Sequence, residues 1–201
     1  MKPKDGFTII ELMIVVFIMG IVAAITIPQA LTAVKAYRLR SDAAALGGQL
    51  SVTRFQATSQ NTPYRLVITT SAIPHTFDTE RLCGGTSSST DSACTSMYAP
   101  RTDPIEGGTI PIDQGNRFTT TNPGGTTSFP GTITAAAAAT TTFYFNTRGM
   151  PVNSSGNPLS NGGAVVYITN SSNLTDAIVV SIGGQISTYQ WKPSTSTWVG
   201  R

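Results

Sequence analysis

The sequence predicts an α+β chain: one long N-terminal helix, apolar on every side at first and amphipathic later, packed on a C-terminal antiparallel β-sheet head. Three observations predict it. Residues 7–27 are largely apolar and carry one charge, Glu11; apolar residues recur at steps of three and four beyond Pro28; and from Tyr64 the pattern changes to short β-branched and aromatic runs divided by Gly, Pro, Asn and Ser. The 201 residues suit an anchor and one head, because about 170 remain after Pro28 to bury a core.

The helix comes first. From Phe7 to Ile27 the chain has 21 residues, about 31 Å at the helical rise, which matches the hydrocarbon thickness of a bilayer. Glu11 is the anomaly. A lone acid costs about 2.5 to 3.5 kcal/mol near the centre of a membrane helix and less toward its end, so a partner is expected, the alternative being a carboxylate that snorkels to the headgroups. Lys2 and Lys4 precede the run, and a secretory signal begins the same way, with Val22-Ala23-Ala24 as its cleavage site. Against that reading stand the carboxylate and a pattern that continues through Pro28. Leu39, Ala43, Leu46 and Leu50, with Phe55 a turn further on, mark one face, while Arg38, Arg40, Asp42 and Arg54 lie between them. The expectation is one helix from Phe7 to Ser59, kinked at Pro28 and weakened at Gly47-Gly48.

Beyond Asn61-Thr62-Pro63 the strands begin. Tyr64 to Thr69 reads as a strand, Thr109 to Ile112 as a short one, and Ala135 to Ala139 stays unassigned between flanking threonines. Four clearer strands follow at Thr142 to Asn146, Ala164 to Thr169, Ala177 to Ile182 and Gln185 to Trp191. Gly183-Gly184 predicts a two-residue hairpin with positive φ at both positions.

Function classes narrow by exclusion. Charged residues make up 11% of the chain, lysines number four and the net charge is +3 without any run of like charges, a poor case for nucleic-acid binding. Cys83 and Cys94 close the loop CGGTSSSTDSAC, and a disulfide there would stabilise by about 3 kcal/mol and persist only in an oxidising compartment. No metal or cofactor is expected, since the single histidine, His75, lacks spaced partners and reads as a surface loop residue. Asp103, Glu106 and Asp113 lack the alternating oxygen spacing of a calcium loop and read as solvated loop acids. Trp191 and Trp198 are expected to close the edge of the core rather than to form a binding face. With no nucleophile motif, phosphate loop or paired acids, the chain reads as non-enzymatic, without a small-molecule substrate.

The segment Gly6-Phe7-Thr8-Ile9-Ile10-Glu11-Leu12 resembles the prepilin processing motif of type IV pilins and type II secretion pseudopilins, and Pro28 falls where those proteins carry a helix-kinking proline. Phe143 to Pro151 and Ala177 to Ile186, with Arg54 and Ala57, resemble the C-terminal half of GspH/FimT-type minor pilins, while Ser71 to Ala139 carries no likeness. The resemblance implies a leader at 1–6, a transmembrane and assembly helix at 7–28, its amphipathic continuation at 29–62 and a β-rich periplasmic head at 63–201. It implies cleavage between Gly6 and Phe7 by a prepilin peptidase, methylation of the Phe7 amine, and a Glu11 that meets a cationic chain end as subunits bundle. The partners implied are other pilins or pseudopilins in a helical fibre and, before assembly, the lipid of a bacterial inner membrane. Lys35, Arg38 and Arg40 leave the positive-inside count undecided, so the processing motif and the disulfide fix the N-terminus as cytoplasmic and the head as periplasmic. The competing reading is a DNA-binding minor pilin of a competence system, with Lys192 and Arg201 as contacts; so few cations imply weak binding with a small salt slope.

Overall fold

In the computed structural model the described residues are 8–84, 94–100, 106–123, 129, 138–159 and 162–201. They divide into two compact units, Met1–Tyr37 and Arg38–Arg201.

Helix α1 covers Ile9–Ser59, so its end falls where the sequence places it. Phe7, the expected first residue, lies outside the described residues. In the first unit, residues 8–35 are exposed on every side. The segment is long and apolar enough to cross a membrane. Thr26 and Thr32 donate their hydroxyls to the carbonyls of Val22 and Pro28, at 2.8 and 3.1 Å, so these polar groups are satisfied inside the helix itself.

In the second unit the helix buries Leu39, Ala43, Leu46, Leu50, Thr53 and Ala57, spaced by four, three, four, three and four residues. Phe55, expected on that face, is 69% exposed. It lies five residues from Leu50, about 140° round the helix. The helix ends in a Schellman turn: Thr62 N–H donates to Ala57 O and Asn61 N–H to Thr58 O, with Asn61 left-handed at φ 49° and Pro63 preventing continuation.

Among the described residues eleven strands follow, in two sheets where the sequence suggested one. β1 (Tyr64–Thr69), β2 (Thr76–Arg81), β3 (Glu106–Pro111), β6 (Thr142–Phe145) and β7 (Pro151–Val152) form a five-stranded sheet in the order β3-β2-β1-β6-β7. β4 (Asn116–Thr119), β8 (Gly163–Asn170), β9 (Thr175–Ser181), β10 (Ile186–Lys192) and β11 (Thr197–Gly200) are ordered β11-β10-β9-β8-β4, and β5 (Ala138–Ala139) pairs with β8 in parallel. One chain segment joins the two sheets: Thr140 N–H donates to Val165 O of β8, and Thr141 O accepts from Ile68 N–H of β1. The main core lies between α1 and both sheets, with Leu66, Phe77, Phe143 and Phe145 from one and Val166, Ile168, Ile178 and Val180 from the other. The alternate residues of the six-stranded sheet, Val165, Tyr167, Val179, Tyr189 and Trp191, form a second cluster closed by Trp198 and Phe129. Both tryptophans thus sit at a core edge, as expected, with ring centroids 5.2 Å apart.

Four turns share one hairpin chemistry. Asn146, Asn153 and Asn170 each accept two backbone N–H groups on Oδ1, from the second and fourth residues on, and Ser181 Oγ accepts the fourth. Three residues on, Gly149, Gly156, Asn173 and Gly184 take the left-handed conformation. The turn at Gly183-Gly184 is therefore a three-residue loop with positive φ at Gly184 alone, not the two-residue hairpin.

Two of these turns are held by one side chain. Arg54 donates Nε to Gly149 O at 3.0 Å and a terminal nitrogen to Gly184 O at 2.7 Å. A Cβ on Gly184, at φ 79°, would sit 3.0 Å from the Arg54 Cζ. Arg54→Met should cost about 3 kcal/mol, two charge-assisted bonds to backbone carbonyls being lost, and Gly184→Ala should destabilise in the same direction. Urea unfolding followed by tryptophan fluorescence in detergent reads both.

Candidate functional site

The first turn of α1 carries the chemistry that the sequence singles out. Thr8 precedes the helix, and its hydroxyl accepts the Glu11 N–H at 3.3 Å while its carbonyl accepts the Leu12 N–H at 3.2 Å. Thr8-Ile9-Ile10-Glu11 is therefore one half of a capping box, with Thr8 as N-cap and Glu11 at the third helical position. The Thr-x-x-Glu spacing signals this directly in the sequence. Glu11 thus faces the positive end of its own helix dipole, worth about 0.3 to 1 kcal/mol. Gly6 and Phe7, the expected cleavage and methylation positions, lie outside the described residues. Pro28 lies inside α1 and is exposed.

In the head, polar ties attach the helix to the strands. Arg38 donates to Asp113 at 3.0 Å, and Asp42 Oδ2 accepts both the Asp113 N–H at 2.9 Å and Asn116 Nδ2 at 2.6 Å. Asp113 is thus a tethered acid, not a solvated one; Asp103 lies outside the described residues, as does the side chain of Glu106. In the core, Thr53 Oγ1 and Thr79 Oγ1 lie 2.8 Å apart, and Gln49 Nε2 donates to the same Thr79 hydroxyl, so these three side chains satisfy one another.

Cys83 and Cys94 form the expected disulfide, with Cα atoms 5.5 Å apart. Backbone bonds from Cys83 N–H to Ala99 O and from Gly84 N–H to Met97 O continue the tie. Reduction should lower stability by about 3 kcal/mol, readable as a lower urea midpoint with dithiothreitol.

The two cations considered for nucleic acid are not neighbours. Lys192 ends β10 and is exposed, whereas the Arg201 backbone N–H bonds Thr188 O at the other end of the β10 to β11 pairing. The Arg201 guanidinium lies 3.4 Å from Asp176 Oδ2. Asp176 is 1% exposed and neither of its oxygens is hydrogen-bonded. Burial pushes its carboxyl above the ordinary value, and Arg201 and Arg40 pull it back. Sequence reasoning missed this pair because β9 to β11 bring distant positions together. Arg201→Ala should leave a buried carboxylate without its ion-pair partner, at a cost of about 3 kcal/mol near neutral pH. An acid whose folded pKa is raised favours the fold on the acid side, so the defect should shrink as the pH falls and Asp176 takes up a proton. Thermal melts of both forms across pH check this.

Comparison with known proteins finds a family at the same end of the chain and relatives of part of its length. Residues 1–27 match the family described as the prokaryotic N-terminal methylation motif. Two curated relatives, each described as a fimbrial protein of Pseudomonas aeruginosa, are 40% identical over 85 residues, covering 36% of this chain and 54% of the relative. The chain thus spans about half the length of the curated relatives it matches. No solved structure matches it significantly. The chain is thus similar to a methylation motif at its N-terminus and, over part of its length, to fimbrial proteins.

Proposed function

We propose that this type IV pilin-like chain is a non-enzymatic minor pilin or pseudopilin, a subunit that enters a helical fibre by α1 and supports pilus biogenesis or type II protein secretion. The observation that carries the reading is Glu11 in the first turn of an otherwise uncharged helix segment, within a methylation motif at residues 1–27. A prepilin peptidase cuts between Gly6 and Phe7 and methylates the new amine. The cationic chain end, its own or that of a neighbouring subunit, then meets the Glu11 carboxylate, where low dielectric strengthens the attraction. Before assembly, residues 7–28 hold the subunit in the inner membrane with the head in the periplasm, and the disulfide suits that compartment. The fimbrial description of the Pseudomonas aeruginosa relatives supports a fibre. Capture of DNA through Lys192 and Arg201 has less support, because Arg201 is engaged with Asp176.

The test is Glu11→Val in cells that carry the wild-type assembly machinery. The variant should insert and lose its leader like the wild type, yet be depleted about tenfold or more from sheared fibres, as expected when one charge-assisted contact is lost. Incorporation at the wild-type level would contradict the proposal.

A further inference from the structure

The sole histidine of the chain is not on the surface. His75 precedes β2 of the five-stranded sheet, is 7% exposed, and accepts the backbone N–H of Phe118 on Nδ1 at 3.0 Å. Phe118 belongs to β4, the edge of the six-stranded sheet, where it stands opposite Ile168 of β8. The imidazole therefore bridges the two sheets. The same residue accepts the Ile112 N–H on its carbonyl at 3.0 Å, and its ring stacks on Phe118 with centroids 6.3 Å apart. A neutral imidazole offers one nitrogen lone pair; protonation turns both nitrogens into donors. A donor cannot replace an acceptor opposite a backbone N–H, so one proton converts this buried bond into a repulsive contact.

The charged groups around the ring do not offset that change. Arg117 of β4 adds a like charge and, after burial, is the second cause that lowers the His75 pKa below its ordinary value. Three described acids on the neighbouring elements are engaged with other groups. Asp42 of α1 holds Asn116 and the Asp113 N–H, Asp113 holds Arg38, and Glu80 of β2 holds Arg65 at 2.6 Å. Asp78 of β2 is buried in the field of Glu80 and Arg65.

We propose that His75 is a proton-operated pin between the two sheets of the head: neutral, it holds β4 through the Phe118 amide, and protonated, it releases β4 at Phe118. β4 is the element poised to move, since it is four residues long and, among the described residues, pairs with β8 alone. The sign follows from the lowered folded pKa. Stability is fully present above the unfolded value and is lost as pH falls from there through the lower folded value.

Amide hydrogen exchange of the full chain in detergent, divided by the intrinsic rate at each pH, tests the pin. Between about pH 7 and about pH 5, protection of the Phe118 amide should fall about tenfold, while the Ile178 amide in the central strand β9 keeps its protection. His75→Asn supplies a non-titrating acceptor and should abolish the difference. If that variant does not fold, the contrast between Phe118 and Ile178 in the wild type carries the test alone. Phe118 protection that stays constant while the His75 ring titrates by NMR would overturn the proposal, as would a ring that titrates at or above the ordinary histidine value.

Discussion

Helix α1 must satisfy two different environments with one periodicity. Over residues 8–35 it is exposed on every side and apolar enough to cross a membrane, so every backbone and hydroxyl group has to be satisfied within the helix. From Leu39 to Ala57 it buries a single stripe and carries its polar residues between. The head is organised round that stripe. Both sheets contribute to one core against it, and the polar side chains that flank it, Arg38, Asp42, Gln49 and Arg54, bind elements as far apart in sequence as Asp113 and Gly184.

This arrangement explains why Arg54 and Ala57 accompany the glycine turns. Ala57 is fully buried where the helix closes on the core, and Arg54 reaches past it to the carbonyls of two left-handed glycines on different hairpins. Each glycine is required twice, once by its positive φ and once by the side chains against it, Arg54 at Gly184 and Thr58 with Arg54 at Gly149.

The helix was legible because its period is long and its face regular. The C-terminal strands were legible because their β-branched and aromatic residues are concentrated in runs, and the disulfide followed from two cysteines in a polar loop. What escaped has common physical causes. β2, Thr76-Phe77-Asp78-Thr79-Glu80-Arg81, buries a threonine that bonds Thr53 and carries ionic residues on its other face, so it does not alternate in the expected way. β4 and β11 have four residues each, too few to establish a period. Phe55 has the chemistry of a core residue but the wrong phase, and His75, in the loop before β2, reads as a surface residue because its partner, Phe118, lies 43 residues away. The capping box at Thr8 and the Asn-x-x-Gly turns were written in the sequence all along as local motifs.

At the candidate assembly site the magnitudes leave one term open. On the proposed reading the helix dipole offsets part of the cost of Glu11, and a leader-free chain end supplies the remaining cation. The most direct measurement is the intact mass of the chain recovered from purified fibres. A mass lacking Met1 to Gly6 and carrying one added methyl group, with fragments placing it on Phe7, is the predicted result. A fibre-borne chain that retains its first six residues, or one that begins at Ile25, would contradict the account.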